Sequence, residues 1–280
     1  MTVKNTLLKY LRVFVVTFVS MVFVFPLIAL IFASLRPGQD LMRFGISLKT
    51  LIPTQLSLDY ILALFGPLGE NYRSWFLNSI VITALQVVIS IFLSSMVGYG
   101  LGVYRFKGRN VIMVLVIFVM MIPIQILILP LYKLSINLKI IDTYVGVILP
   151  FAVFPLGIFF FRQYVLGMPK DYIDAARIDG LNDYMIFVRI MAPIMAPAYG
   201  AMSILIALNS WNQFLWPLIV LRSSQKFTLP IGLNTLLTPY GNNYDVLISG
   251  AALATIPIII VFIFFQKNFM TGMTAGGVKG

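Results

Sequence analysis

The chain has 280 residues, 60% of them hydrophobic and only 10% charged, with a mean hydropathy of +0.97 and a formal charge of +11. A soluble domain carries about 25% charged residues, so this composition implies an integral membrane protein. The absence of cysteine and histidine excludes thiol chemistry, disulfides and the commonest metal ligand. Nucleic acid is not implied by the basic excess, because the basic side chains form no long run and sit at the ends of apolar stretches, where they set topology.

Taken in chain order, Lys4, Lys9 and Arg12 precede an apolar run over 13–35. That run is too long for a leader core and no small-x-small cleavage site follows it, so it reads as an uncleaved first span. Five more apolar runs follow, at 75–104, 111–132, 143–161, 196–221 and 246–266, and none of the six contains Asp, Glu, Lys or Arg. A hydrocarbon core needs roughly 20 helical residues. Backbone groups in lipid must be satisfied within the segment, which predicts helices, and the alternation of a membrane β-barrel is absent. The expected fold is all-α, one polytopic membrane domain over 1–280 with six transmembrane helices. With the N-terminus inside, twelve basic residues fall on inner segments and eight on outer ones. This excess places both termini in the cytoplasm, with Arg105-Phe106-Lys107-Gly108-Arg109 as the strongest anchor. The outer segments are too short for an independent domain.

Between the fourth and fifth runs lies a polar loop over 168–193. Pro169 is placed to open a short helix, with Asp171 and Asp174 near its positive end. Tyr172, Ala175, Ala176 and Asp179 follow a helical stripe whose two alanines would admit another backbone. Gly180 suits the left-handed residue that closes the helix. Asn182 or Asp183 can cap a second segment, Tyr184–Ile190, which Pro193 interrupts. A plain hydrophilic connector is the alternative, although a connector needs neither caps nor a small-residue face.

Polar residues inside spans are costly and often functional. The densest group is Asn209, Ser210, Asn212 and Gln213, flanked by Trp211 and Trp216. Amides beside an aromatic face suit a sugar path; interhelical hydrogen bonding, or a helix break reinforced by Pro217, is the alternative. Asn78, Gln86 and Gln125 are isolated and read as packing hydrogen bonds. The last outer loop carries a turn-forming tip over 239–244 with two aromatics.

The order Asp174-Ala175-Ala176-Arg177-Ile178-Asp179-Gly180, with Pro193 beyond, resembles the EAA loop of binding-protein-dependent ABC importer permeases, with Asp in place of the usual Glu. Further stretches carry the resemblance over nearly the whole chain: Asn78-Ser79, Gly98-Tyr99-Gly100-Leu101, Leu129-Pro130-Leu131-Tyr132, 143–150, Phe160-Phe161-Arg162-Gln163, 211–218 and the glycine-rich tail. Together they resemble the second, maltose-type permease of carbohydrate importers, and 238–245 most resembles arabinose or arabino-oligosaccharide permeases.

The resemblance implies a type I ABC importer permease fold in a bacterial cytoplasmic membrane. It implies that Asp174, Ala175, Ala176, Arg177, Asp179 and Gly180 form a coupling helix seated in an ATPase cleft. Asn209, Trp211, Asn212 and Gln213 are the candidates for the translocation path. Tyr240, Gly241, Asn242, Asn243 and Tyr244 would reach into a sugar-binding protein. The implied partners are a second permease, two ATP-binding subunits, an extracellular or periplasmic sugar-binding protein, the sugar and the bilayer.

No Gly-x-x-x-x-Gly-Lys-Ser/Thr loop is present, so the chain is expected not to be an enzyme, and ATP and Mg²⁺ would be bound by the partner ATPase. No cofactor or metal is expected in this chain. The competing function is a stand-alone secondary transporter or channel, but such proteins usually carry ionisable residues within their spans. An intramembrane enzyme lacks an acid–base pair.

Overall fold

The computed structural model describes residues 3–37, 57–237 and 243–275, and among these all regular structure is helical. In chain order the principal helices are α1 (Val3–Ala33), α2 (Tyr72–Val103), α3 (Arg109–Met120), α4 (Ile124–Asn137), α5 (Tyr144–Ile148) and α6 (Pro155–Leu166). They continue as α7 (Asp171–Ile178), α8 (Ala196–Trp211), α9 (Leu215–Val220), α10 (Leu229–Thr235) and α11 (Tyr244–Ala275). Three candidate spans are single helices, over Leu8–Ala33, Tyr72–Val103 and Tyr244–Lys267. Three more are bent pairs, which brings the candidates to six: α3 with α4 at 103°, Tyr144–Phe151 with α6 at 44°, and Asp183–Ile194 with α8 at 78°.

The bends are where the structure departs from six plain rods, and proline is the common cause. The third run was expected to be one helix over 111–132; instead α3 ends at Met120 and α4 starts after Pro123, which is held extended. Proline has a fixed φ, no N–H to donate, and pushes its predecessor out of helical geometry. The fifth run was expected to continue to 221, yet α8 stops at Trp211 and α9 begins at Leu215. Asn212 closes α8 by donating from Nδ2 to the Leu208 carbonyl at 2.9 Å, and Pro217 cannot donate back across the gap.

The bend before Pro155 is satisfied from outside its own segment. Gln86 donates to the Phe151 carbonyl and, at 2.7 Å, to Ser90 Oγ, while Ser90 donates to Phe151 O at 3.0 Å. Ser94 Oγ accepts from Phe154 N at 3.0 Å and donates to Phe154 O at 3.2 Å. Gln86, Ser90 and Ser94 are four residues apart and so share one face of α2. The packing role expected of Gln86 is thus visible, and two serines extend it. On the same helix, a Cβ at Gly98 would lie 2.7 Å from Phe161 Cβ and 2.8 Å from Ile158 O. Only glycine allows α2 and α6 this approach, the usual device of helix packing in lipid.

Contacts divide the chain into two compact units, Met1–Arg73 with Gly232–Ile256, and Ser74–Ile231 with Pro257–Gly280. In the first, Tyr72 donates to Gly250 O and Ser249 to Ser34 O, each at 3.1 Å, around a fully buried Leu64. The apolar side chains of α1 are exposed on all sides, among them Phe14, Phe18 and Phe23, which suits lipid. The second unit is built around Tyr99, Phe161, Ile186, Met191, Met195 and Met202.

Candidate functional site

The 168–193 loop folds as its local signals dictate. Asp171 and Asp174 lie in the first turn of α7 and Arg177 in the last, each complementing the helix dipole. Gly180 adopts φ +78°, Leu181 N donates to Ala176 O at 3.1 Å and Gly180 N to Arg177 O at 3.0 Å. These are the two bonds that close a helix on a left-handed residue. Asn182 is the cap of the next segment, its Oδ1 accepting from Met185 N at 2.9 Å. A π-helical stretch, Ile186–Met191, and Ala192–Ile194 then lead to the bend at Met195, flanked by Pro193 and Pro197.

The expected stripe of Tyr172, Ala175, Ala176 and Asp179 is not one open face. Ala176 turns inward with Ile173, at 4% and 7% exposure, and both join the buried cluster containing Val165, Ile186 and Phe187. The small side chain of Ala176 serves the chain's own packing. Ala175 stays outside with Asp174, Arg177 and Asp179. Ile178, absent from the expected site, is 87% exposed, and Tyr172 and Tyr184 are exposed as well. The Arg177–Asp183 pair spans 3.4 Å between two solvent-facing side chains, a contact that water and salt weaken. Beside α7 lies a cavity of about 190 Å³ lined in part by Arg105, Val165, Lys170, Asp174 and Arg177.

Of the candidate path residues, Asn209, Asn212 and Gln213 come together at the break after α8, with Asn209 and Asn212 exposed. Trp211 is turned the other way. Its ring is buried and meets Phe76 edge-on at 5.9 Å, so here it packs α2 against α8. Tyr240, Gly241 and Asn242 of the candidate outer tip lie outside the described residues. Asn243 caps α11, accepting from Val246 N at 3.4 Å, and Tyr244 is the first residue of that helix, half-buried.

The densest polar construction among the described residues, apart from the packing role expected of Asn78, was not singled out from the sequence. It gathers around the strap 220–229. Asp142, at φ +57°, donates its N–H to Val220 O at 2.9 Å. Its Oδ1 accepts from Arg222 N at 3.0 Å and Ser223 N at 3.1 Å; its Oδ2 accepts from Ser223 Oγ at 2.6 Å and Lys226 Nζ at 3.0 Å. Lys226 also donates to Asp142 O at 2.7 Å. The Ser223 hydroxyl, aided by the two backbone N–H groups and the Lys226 ammonium, holds the Asp142 carboxyl well below the usual carboxylate range despite its partial burial.

From α2, Trp75 Nε1 donates to Ser224 O at 2.8 Å, and Asn78 Nδ2 donates to Gln225 O at 2.7 Å and Phe227 O at 3.0 Å. Asn78 Oδ1 accepts from Tyr144 OH at 2.6 Å, and Ser79 Oγ accepts from Leu229 N at 2.7 Å. Trp216 Nε1 donates to Gly146 O at 3.0 Å, and Arg222 donates to the Tyr132 hydroxyl. The only sequence signal was a set of polar residues at the ends of separate apolar runs, whose mutual distances no local pattern reports.

The family model described as the binding-protein-dependent transport system inner membrane component matches residues 90–274. The chain is 56% identical over 261 residues to the arabinooligosaccharides transport system permease protein AraQ of Bacillus subtilis (strain 168), covering 93% of this chain and 92% of that protein. It is 28% identical to the lactose transport system permease protein LacG of Rhizobium radiobacter, covering 99% of each. Among solved structures, one chain of a bacterial ABC transporter involved in the import of the acidic polysaccharide alginate superimposes with a TM-score of 0.81 at 22% identity. That match covers 96% of this chain and 99% of that one, and it shows the shared fold.

Proposed function

The chain belongs to the inner membrane components of binding-protein-dependent transport systems, and from this premise we propose that it forms half of the translocation pathway of a sugar or oligosaccharide importer, with arabino-oligosaccharides as the preferred substrate class. The similarity to AraQ supports the substrate class. A second permease completes the pathway, two separate subunits bind ATP and Mg²⁺ and hydrolyse the nucleotide, and an extracellular or periplasmic protein delivers the sugar. Both termini lie in the cytoplasm, which the excess of basic residues on the inner segments supports.

The observation that carries the coupling assignment is the capped loop with its open face. α7 is closed at its C-terminal end by the Gly180 turn and held by buried Ile173 and Ala176, yet Tyr172, Ala175, Ile178 and Asp179 face outward. A rigid short helix with an exposed apolar side chain is suited to seat in another protein. In this reading Ala175 permits close approach, Asp174, Arg177 and Asp179 supply charged contacts, and Gly180 sets the helix's exit. Ala176 acts indirectly by holding α7 down. Closure of the ATPase pair on ATP then moves α7, and the spans exchange inward- and outward-facing states whose relative stability the nucleotide sets. Asn209, Asn212 and Gln213 offer amide hydrogen bonds to a sugar, and the 240–244 tip contacts the binding protein.

The test is purification of the tagged chain in mild detergent from its native membrane. Recovery of another permease and an ATP-binding subunit in fixed ratio is the expected result. Recovery of the chain alone, still moving solute in liposomes, would overturn the importer reading in favour of an autonomous transporter.

A further inference from the structure

The fifth apolar run is broken between Trp211 and Leu215, and the two sides of the break are held differently. On the far side, α9 is attached to the start of the fourth span at both of its ends. Trp216 Nε1 binds Gly146 O near its beginning, and Val220 O accepts from Asp142 N at its end. Immediately beyond, the Asp142 carboxylate takes the N–H groups of Arg222 and Ser223, the Ser223 hydroxyl and the Lys226 ammonium. One residue therefore meets the end of α9 through its backbone N–H, while its carboxylate pairs with Lys226 and fixes the strap's first turn. Among the described residues the break carries fewer hydrogen bonds: Asn212 is exposed and binds back within α8, and Gln213 N reaches Ser210 O, while Phe214 packs on the cluster of Val147, Trp216 and Val220.

We propose that Asp142 is a positioning residue for translocation: it makes α9 and the start of the fourth span one rigid piece, so that the fifth span flexes at 212–214 and carries its amides past a fixed outer half. This rests on the importer reading above. A hinge needs one side that stays still, and a carboxylate with two backbone donors and two side-chain donors supplies it without a long helix. Its left-handed backbone is tolerated by Asp and Asn better than by other non-glycine residues. That backbone gives a clean separation of causes. Asp142→Gly keeps or eases the φ and removes the carboxylate, whereas Asp142→Asn keeps one acceptor for the two N–H groups and loses the acceptor for Ser223 and Lys226.

The experiment uses the assembled transporter in liposomes, with arabinotriose as probe and two readouts. The first is sugar moved per ATP hydrolysed. The second is the distance between spin labels at Val145→Cys and Leu218→Cys, both exposed positions in a chain with no native cysteine. The wild type should show one narrow distance with and without ATP. Asp142→Gly should broaden it and lower sugar moved per ATP by about ten-fold while basal ATP hydrolysis persists, with Asp142→Asn intermediate. An Asp142→Gly complex with the wild-type distance and the wild-type ratio would overturn the proposal. If Asp142→Gly does not assemble, Ser223→Ala with Lys226→Met removes the Oδ2 partners and leaves the turn intact; a broadened distance supports the proposal and an unchanged one overturns it. The label distance needs no sugar. A wild type with a narrow distance but no arabinotriose uptake would therefore count against the substrate class and leave the positioning role standing.

Discussion

The 171–182 loop and the 220–229 strap are both short polar segments between apolar spans, and their side chains are used in opposite ways. In the strap, Trp75, Asn78, Ser79 and Asp142 bind its backbone and its cation. In the loop, backbone bonds close the C-terminal end of the helix, while Ile178, Tyr172 and the charged side chains stay exposed. A segment whose partners lie in its own chain contributes to stability. One that is rigid but open is prepared for a partner. The same kind of substitution should therefore damage different properties at the two places.

The largest effect is expected in the loop. Gly180→Val forces a β-branched residue to φ +78°, and Ala175→Arg fills an exposed face. Each should abolish transport and ATPase association while the chain still inserts, and normal ATPase co-purification with either would sink the docking assignment. Next comes Asn78→Leu, which strands two carbonyls and the Tyr144 hydroxyl. It should lower the stability of the detergent-purified chain by roughly 2–4 kcal/mol, read as a fall in thermal midpoint. Ser94→Ala should cost about 1–3 kcal/mol by orphaning the part-buried Phe154 N–H.

Ile178→Ser sharpens the contrast. Being 87% exposed, Ile178 should leave chain stability within about 0.5 kcal/mol while weakening ATPase capture in a pull-down titration. The smallest effect concerns pH. A depressed carboxyl contributes fully above its unfolded pKa of about 3.9 and loses that contribution only as pH falls through its lower folded value. Between pH 8 and 5 the Asp142-dependent stability difference, wild type minus Asp142→Asn, should stay flat. A slope in that window would mean that the carboxyl is not held as the geometry shows.

What the sequence made legible was local. The left-handed Gly180 and the Asn182 cap each depend on a few neighbouring residues and are found, while of the six apolar runs three are single long helices and three are bent pairs. The assignment of Ala176 to the open stripe failed because helical periodicity says which residues share a face, not which face a neighbouring π-helical segment will cover. The Trp211 ring meets Phe76 edge-on, some 135 positions earlier in the chain, and no spacing reports that. The Asp142–Arg222 and Asn78–Tyr144 contacts span 80 and 66 residues, and they rest on turns that only the assembled spans bring together.

The ladder of Gln86, Ser90 and Ser94 bears on how the chain is made. The bent fourth span borrows its missing hydrogen bonds from α2, so it is not a self-sufficient inserting segment. Entering the bilayer ahead of its donor would leave the Phe151–Phe154 backbone unsatisfied in hydrocarbon, at several kcal/mol per group. Synthesis from the N-terminus delivers the donor helix first, and the order of the spans is therefore also a schedule: the second must be standing before the fourth can bend.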